Sequence, residues 1–153
     1  MSWTRPGSLR LRGMAIAAGV TLLGVGLGSI GQAQEDDWEE KPYTVVDGKV
    51  DFGTYNGYRR YHSHCHVCHG PDGMGSSYAP ALIESLPDIG YEGYLEAVVY
   101  GIENVNQSQQ SVMPAFGEVE DVVNYLEDIY AYLKARADGA VGRGRPERLP
   151  KTE

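Results

Sequence analysis

The most restrictive feature of this 153-residue sequence is a short motif built on its only two cysteines. Cys65, Cys68 and His69 form the pattern C-x-x-C-H. Two thiols three residues apart at a helix end can add to the two vinyl groups of one haem, and the adjacent imidazole then faces the iron. The motif therefore predicts one haem c, attached covalently through both cysteines and ligated by the histidine.

Two other uses of a cysteine pair have less support in the sequence. A disulfide redox site of the thioredoxin type would need strands alternating with helices around the pair, and we find no such pattern. A structural zinc site would need further thiols or suitably spaced histidines. His62, His64 and His66 are available, but alternate residues at the end of a short helix point in different directions.

A haem iron held by one histidine has a second axial position, and two methionines follow the first 33 residues. Met74 comes only five residues after His69, too close to cross easily to the opposite face of the haem. Met113 lies 44 residues downstream of His69, beside Pro114 and just before the last predicted helix. We therefore predict Met113 as the second ligand, because a histidine–methionine pair suits a c-type haem and raises its potential. The alternative is that Met113 only fills the core.

A ligand histidine also needs an acceptor that fixes the orientation of its ring. We expect the backbone carbonyl of Pro80, eleven residues after His69, to accept from the second ring nitrogen. The alternative is that Pro80 only shapes a turn. We interpret His62, His64 and His66 as surface residues near the haem edge; the alternative is that their protonation tunes the haem potential or partner docking.

The first 33 residues are typical of an export signal. Three arginines and no acidic residue accompany an apolar stretch over residues 14–30, and residues 31–33 offer small side chains for cleavage. An uncleaved membrane anchor is disfavoured, because the stretch is short for a bilayer and rich in glycine. No cysteine stands at the cleavage site, which excludes a lipoprotein anchor. We expect cleavage after Ala33, a periplasmic location and a mature form that does not span the membrane.

The net charge limits the partners of the mature chain. Removal of residues 1–33 takes away three arginines and leaves ten basic and 21 acidic side chains, a formal charge of −11. Binding to nucleic acid needs clustered lysine and arginine, so that class of partner is excluded. The charge favours a protein partner with a basic docking surface.

Composition divides the mature chain into three parts. Residues 34–50 are predicted to form a mobile acidic leader, and residues 51–137 the folded domain. Residues 138–153 are predicted to form a flexible tail rich in glycine, arginine and proline, and we expect its deletion to leave the haem spectrum intact.

Apolar periodicity predicts that the domain is helical. Helices are expected at about residues 54–64, 81–86 and 91–100, with Pro87 ending the second. The clearest helix is the last, whose apolar residues recur at three- and four-residue steps from Val122 to Leu133. A polar loop is expected at residues 101–117, and strand alternation is not visible.

Residues 51–137 resemble a class I c-type cytochrome, an all-α fold of helices wrapped around one haem. Gly57 and Tyr61 stand eight and four residues before the motif, and Ile129 and Tyr132 stand in the last helix. The resemblance implies that these four positions lie where the first and last helices cross.

The same resemblance assigns Met113 as an iron ligand and the Pro80 carbonyl as the acceptor for His69. A narrower similarity is to periplasmic cytochromes of methylotrophic bacteria, which are associated with quinoprotein methanol or alcohol dehydrogenases. It is carried by residues 45–51, 55–62, 79–82 and 139–146.

The resemblance implies a soluble periplasmic one-electron carrier rather than an enzyme. It would accept electrons from a quinoprotein methanol or alcohol dehydrogenase and pass them to another cytochrome c or a terminal oxidase. The main alternative is a haem-based sensor or gas-binding protein, which needs a labile sixth ligand. A peroxidase-like enzyme generally needs a second haem or distal catalytic groups, and the sequence has one C-x-x-C-H motif.

Overall fold

The computed structural model describes residues 38–106 and 109–150. The predicted signal peptide, residues 1–33, lies outside the described residues. Within the described part of the chain, no helix is both long enough and apolar enough to cross a bilayer.

Helices dominate the fold, and two small sheets accompany them. The helices are α1 (Phe52–His64), α2 (His66–His69), α3 (Leu82–Tyr100), α4 (Glu120–Val123) and α5 (Leu126–Ala137), with a 3-10 turn at Pro71–Gly73. The strands are β1 (Val45–Val46), β2 (Lys49–Val50), β3 (Ile102–Asn106), β4 (Gln109–Met113) and β5 (Glu147–Arg148).

The crossing of α1 and α5 forms the centre of the molecule. A Cβ atom on Gly57 would lie 1.8 Å from the backbone oxygen of Asp128, so this approach requires glycine. Tyr61, Ile129 and Tyr132 are almost fully buried in the same core cluster. The helix crossing implied by the class I resemblance is therefore present.

The two helices predicted at about residues 81–86 and 91–100 form the two parts of α3, which are joined across a kink. The expected interruption is present, but it falls at Gly90 (φ 64°, ψ −170°) rather than at Pro87. Pro87 lies within the first two turns of α3 and does not end it, whereas Gly90 takes a positive φ that interrupts the regular helical path.

The prediction of a loop at residues 101–117 was wrong over most of that range. Strands β3 and β4 form an antiparallel hairpin in which Ile102 pairs with Met113 and Glu103 with Val112. The asparagine, glutamine and serine residues of this hairpin interrupt the alternation of apolar side chains by which a strand is recognised in a sequence. The pattern therefore did not indicate the two strands.

The predicted leader and tail also contain ordered structure. Strand β2 pairs with β1 on one side and with β5, from the predicted tail, on the other. Val50 and Val141 are buried together with Ala135 of α5. Strands of two residues are too short to show alternation. The local signal for β1 and β2 is the Asp47-Gly48 turn between them, where both residues have positive φ, and the sequence analysis did not use it.

Candidate haem-binding site

The two cysteines lie at the junction of α1 and α2. Cys65 ends α1 and precedes α2, whereas Cys68 lies within α2 and is exposed. Both are free thiols rather than a disulfide. Before any haem is attached, burial, and secondarily the neighbouring Cys68, raises the pKa of the Cys65 thiol to about 12.

His69 is buried at the end of α2, and its ring is fixed by one backbone oxygen. Its Nδ1 lies 3.1 Å from the Pro80 carbonyl oxygen. A carbonyl oxygen can only accept, so Nδ1 carries the proton and the lone pair is on Nε2. The contact between His69 and Pro80 that the sequence analysis named is therefore in place, and it leaves Nε2 suited to bind a metal.

Tyr61 connects α1 to the turn that follows His69. Its hydroxyl donates to Gly70 O at 2.5 Å and accepts from Gly73 N at 2.9 Å. Burial raises the pKa of Tyr61 above its ordinary value, which keeps the hydroxyl protonated. Tyr61 was expected at the helix crossing, but its contact with the turn could not be predicted, because no local pattern links a tyrosine to a turn nine residues ahead.

Two charged residues that the sequence analysis did not single out lie beside the same turn. Asp72 and Arg136 are only 4% and 8% exposed. Arg136 Nε donates to the Asp72 carbonyl oxygen at 3.3 Å. Charged side chains are usually exposed, so their burial could not be inferred from residue type.

Met113 ends the hairpin and packs against the main core cluster, as does Cys65. The chain after it is tied to the end of α3, because Phe116 N donates to Val98 O at 2.9 Å and Gly117 N donates to Val99 O at 3.1 Å. A Cβ atom on Gly101 would lie 2.5 Å from Met113 O, so glycine allows the two segments to meet.

The three histidines before the motif have separate surroundings. His62 Nδ1 lies 2.9 Å from Tyr58 O, and the His62 ring stacks on that of His66 with a centroid distance of 5.6 Å. His64 Nε2 lies 2.8 Å from an oxygen of Asp121. Hydrogen bonds to His64 and Arg60 lower the pKa of the Asp121 carboxyl group.

These donors fit a covalently attached haem. The two thiols are free, one imidazole nitrogen is occupied by a carbonyl while the other is available, and a thioether lies in the same apolar cluster as Cys65. Among the described residues, no group of three or more histidine, cysteine or acidic side chains is placed to hold a metal ion by itself.

Comparisons with known proteins agree with this chemistry. Residues 54–133 match the family described as "Cytochrome C oxidase, cbb3-type, subunit III". Cytochrome c-553I of Paracoccus denitrificans is 54% identical over 100 residues, which cover 65% of this chain but only 44% of that protein. Cytochrome c-555 of Methylococcus capsulatus is 35% identical over 100 residues, covering 65% of this chain and 75% of the relative.

One solved structure is also similar in fold. The crystal structure of the c-type cytochrome XoxG from Methylobacterium extorquens AM1 superposes with a TM-score of 0.63 at 51% sequence identity. The match covers 72% of this chain and 69% of that one. This similarity reaches beyond the motif and includes the helical core.

Proposed function

Since the chain belongs to the cytochrome c family, whose members bind haem c covalently, we propose that it is a periplasmic one-electron carrier. Cys65 and Cys68 would attach the haem, and His69 and Met113 would bind its iron. The observation that carries this assignment is the contact between His69 Nδ1 and Pro80 O, which directs the lone pair of the ring to Nε2.

The bound haem supplies reversible one-electron chemistry. The protein residues hold the ligands still, so little needs to rearrange when an electron enters or leaves. Pro80 fixes the imidazole of His69, and the anchoring of residues 116 and 117 to α3 restrains the segment that carries Met113. A methionine sulfur in apolar surroundings favours the reduced iron and therefore raises the reduction potential.

We propose a quinoprotein methanol or alcohol dehydrogenase as the electron donor, and another cytochrome c or a terminal oxidase as the acceptor. The similarity to XoxG supports the narrower resemblance seen in the sequence. The acidic character of the chain, with 21 acidic and 13 basic side chains in the full sequence, favours a donor with a basic docking surface.

The proposal is tested by mixing the oxidised holoprotein with a purified quinoprotein alcohol dehydrogenase and its alcohol. Reduction that needs both the enzyme and the alcohol, and that saturates with cytochrome concentration, supports the proposed donor. If the cytochrome stays oxidised while an artificial dye is reduced by the same enzyme, that dehydrogenase is not the donor.

A further inference from the structure

Asp72 presents a carboxylate inside the protein close to the proposed iron ligand. It lies in the 3-10 turn three residues after His69 and is 4% exposed. Its backbone has φ 62°, a left-handed conformation that few non-glycine residues adopt. Burying a carboxylate is costly unless donors surround it.

Most donors to the Asp72 carboxylate come from the far end of the chain. Gly144 N donates to Oδ1 at 3.0 Å, and Arg143 Nε donates to Oδ2 at 3.4 Å. Tyr132 of α5 donates its hydroxyl to Oδ1 at 3.4 Å, and burial raises the pKa of Tyr132, so the hydroxyl keeps its proton. His62 Nε2 lies 3.9 Å from Oδ1.

Arg136 joins the same two regions through its guanidinium group. Its Nε donates to Asp72 O, and its Nη1 donates to Val141 O at 2.6 Å. Residues 139–148, which we call the strap, are thus bonded to the turn by Asp72 and Arg136. The pairing of β5 with β2 holds the other end of the strap.

The backbone of this turn is also hydrogen-bonded to His69. Gly75 N donates to His69 O at 2.8 Å, and the Tyr61 hydroxyl links Gly70 O to Gly73 N. Displacement of Asp72 would therefore be transmitted over a few bonds to the backbone that carries the imidazole.

We propose that Asp72 is a positioning residue through which the strap fixes the turn at residues 70–75 and, with it, His69. The part that concerns haem rests on the proposed role of His69 as an iron ligand. The proposal reverses the expectation that the tail can be deleted without effect on the haem spectrum.

The test compares Asp72→Gly with Asp47→Gly in the holoprotein. Glycine removes the Asp72 carboxylate without strain at positive φ, and Asp47 is a matched control because it also has a positive φ (50°) but is exposed. Amide hydrogen exchange at Gly73 and Gly75 is expected to accelerate at least about tenfold in Asp72→Gly, the effect of losing hydrogen bonds to a charged group. Exchange in Asp47→Gly should be unchanged.

The strap is tested by Arg143→Gln and by truncation after residue 138, with Arg145→Gln and removal of residues 151–153 as controls. Arg145 is in the same segment but contacts Tyr55 instead of Asp72. Truncation should accelerate exchange at the turn. Combining it with Asp72→Gly should give less than the sum of the two effects, because both changes remove the bonds from Arg143 and Gly144 to Asp72. Arg143→Gln should have a smaller effect of the same kind.

The haem methyl resonances of the ferric protein report the orientation of the axial imidazole. They should shift in Asp72→Gly and in the truncated chain but not in the controls. Unchanged exchange at the turn, or faster exchange with unshifted resonances, would overturn the positioning role. Neither measurement uses an electron donor, so failure of the dehydrogenase assay leaves the positioning role of Asp72 intact. Unchanged exchange at the turn, equally, leaves the proposed electron donor intact.

Discussion

Met113 and Met74 show how surroundings distinguish two residues of the same type. Met113 is half-buried and packs against the main core cluster. Met74 is 43% exposed, and its sulfur lies 3.8 Å from Nη2 of Arg136. The sulfur of Met113 thus lies at the apolar core, whereas the sulfur of Met74 lies beside a guanidinium group near solvent.

The first prediction follows from this difference. Met113→Ala is expected to remove the sixth ligand, lower the reduction potential and allow the ferrous protein to bind carbon monoxide. Met74→Ala is the control for the identity of the ligand: it should keep the sixth ligand, so the ferrous protein should not bind carbon monoxide. Optical spectra with and without carbon monoxide measure both. A Met113→Ala protein with an unchanged spectrum would show that another residue is the ligand.

At the scale of elements, the crossing of α1 and α5 depends on a backbone contact. Gly57 approaches the main chain of Asp128, and a main-chain atom cannot move aside as the end of a flexible side chain can. Larger residues at this position must therefore separate the helices and open the core that contains Tyr61 and Tyr132.

The second prediction is that Gly57→Ala lowers the free energy of unfolding by about 3 kcal/mol, the upper part of the usual range for overpacking. Gly142→Ala is the control, because a Cβ atom there meets nothing within 4 Å and its φ is not positive. Denaturant titration of both holoproteins measures the difference. Equal stability of the two variants would contradict the close crossing.

The elements differ in how far the sequence could predict them. Apolar spacing over several turns predicted α5 but not the break that separates it from α4, and α1 was predicted from Tyr58 and Tyr61, three residues apart on one face. The motif itself named Cys65, Cys68 and His69. Strands β1, β2 and β5 have two residues each, too few for any periodic signal. The hairpin was missed because most of its residues are polar and show no alternation of apolar side chains.

At the scale of the whole molecule, contacts distant in sequence were beyond local patterns. The bond between Gly144 and Asp72 joins residues 72 positions apart, and nothing near either residue indicates it. The sequence therefore predicted a separate tail, whereas the structure incorporates residues 139–148 into the fold. The net charge of the chain, in contrast, could be predicted from the sequence, because it depends on composition alone.

The third prediction concerns that charge. An acidic cytochrome that meets a basic donor surface is steered by long-range attraction, and salt screens this attraction. The second-order rate of reduction by the quinoprotein dehydrogenase is expected to fall as ionic strength rises. Stopped-flow measurements over a salt series test this, with a small neutral reductant as the control. A rate that is independent of salt would remove electrostatic steering from the account.

The most direct test of the central claim is the mass of the mature protein isolated from the periplasm, together with its pyridine haemochrome spectrum. The account predicts residues 34–153 carrying one haem, a spectrum typical of two thioether bonds, and haem that stays on the chain after acid–acetone extraction. A colourless protein, or one whose haem is extracted by acid–acetone, would contradict attachment through Cys65 and Cys68.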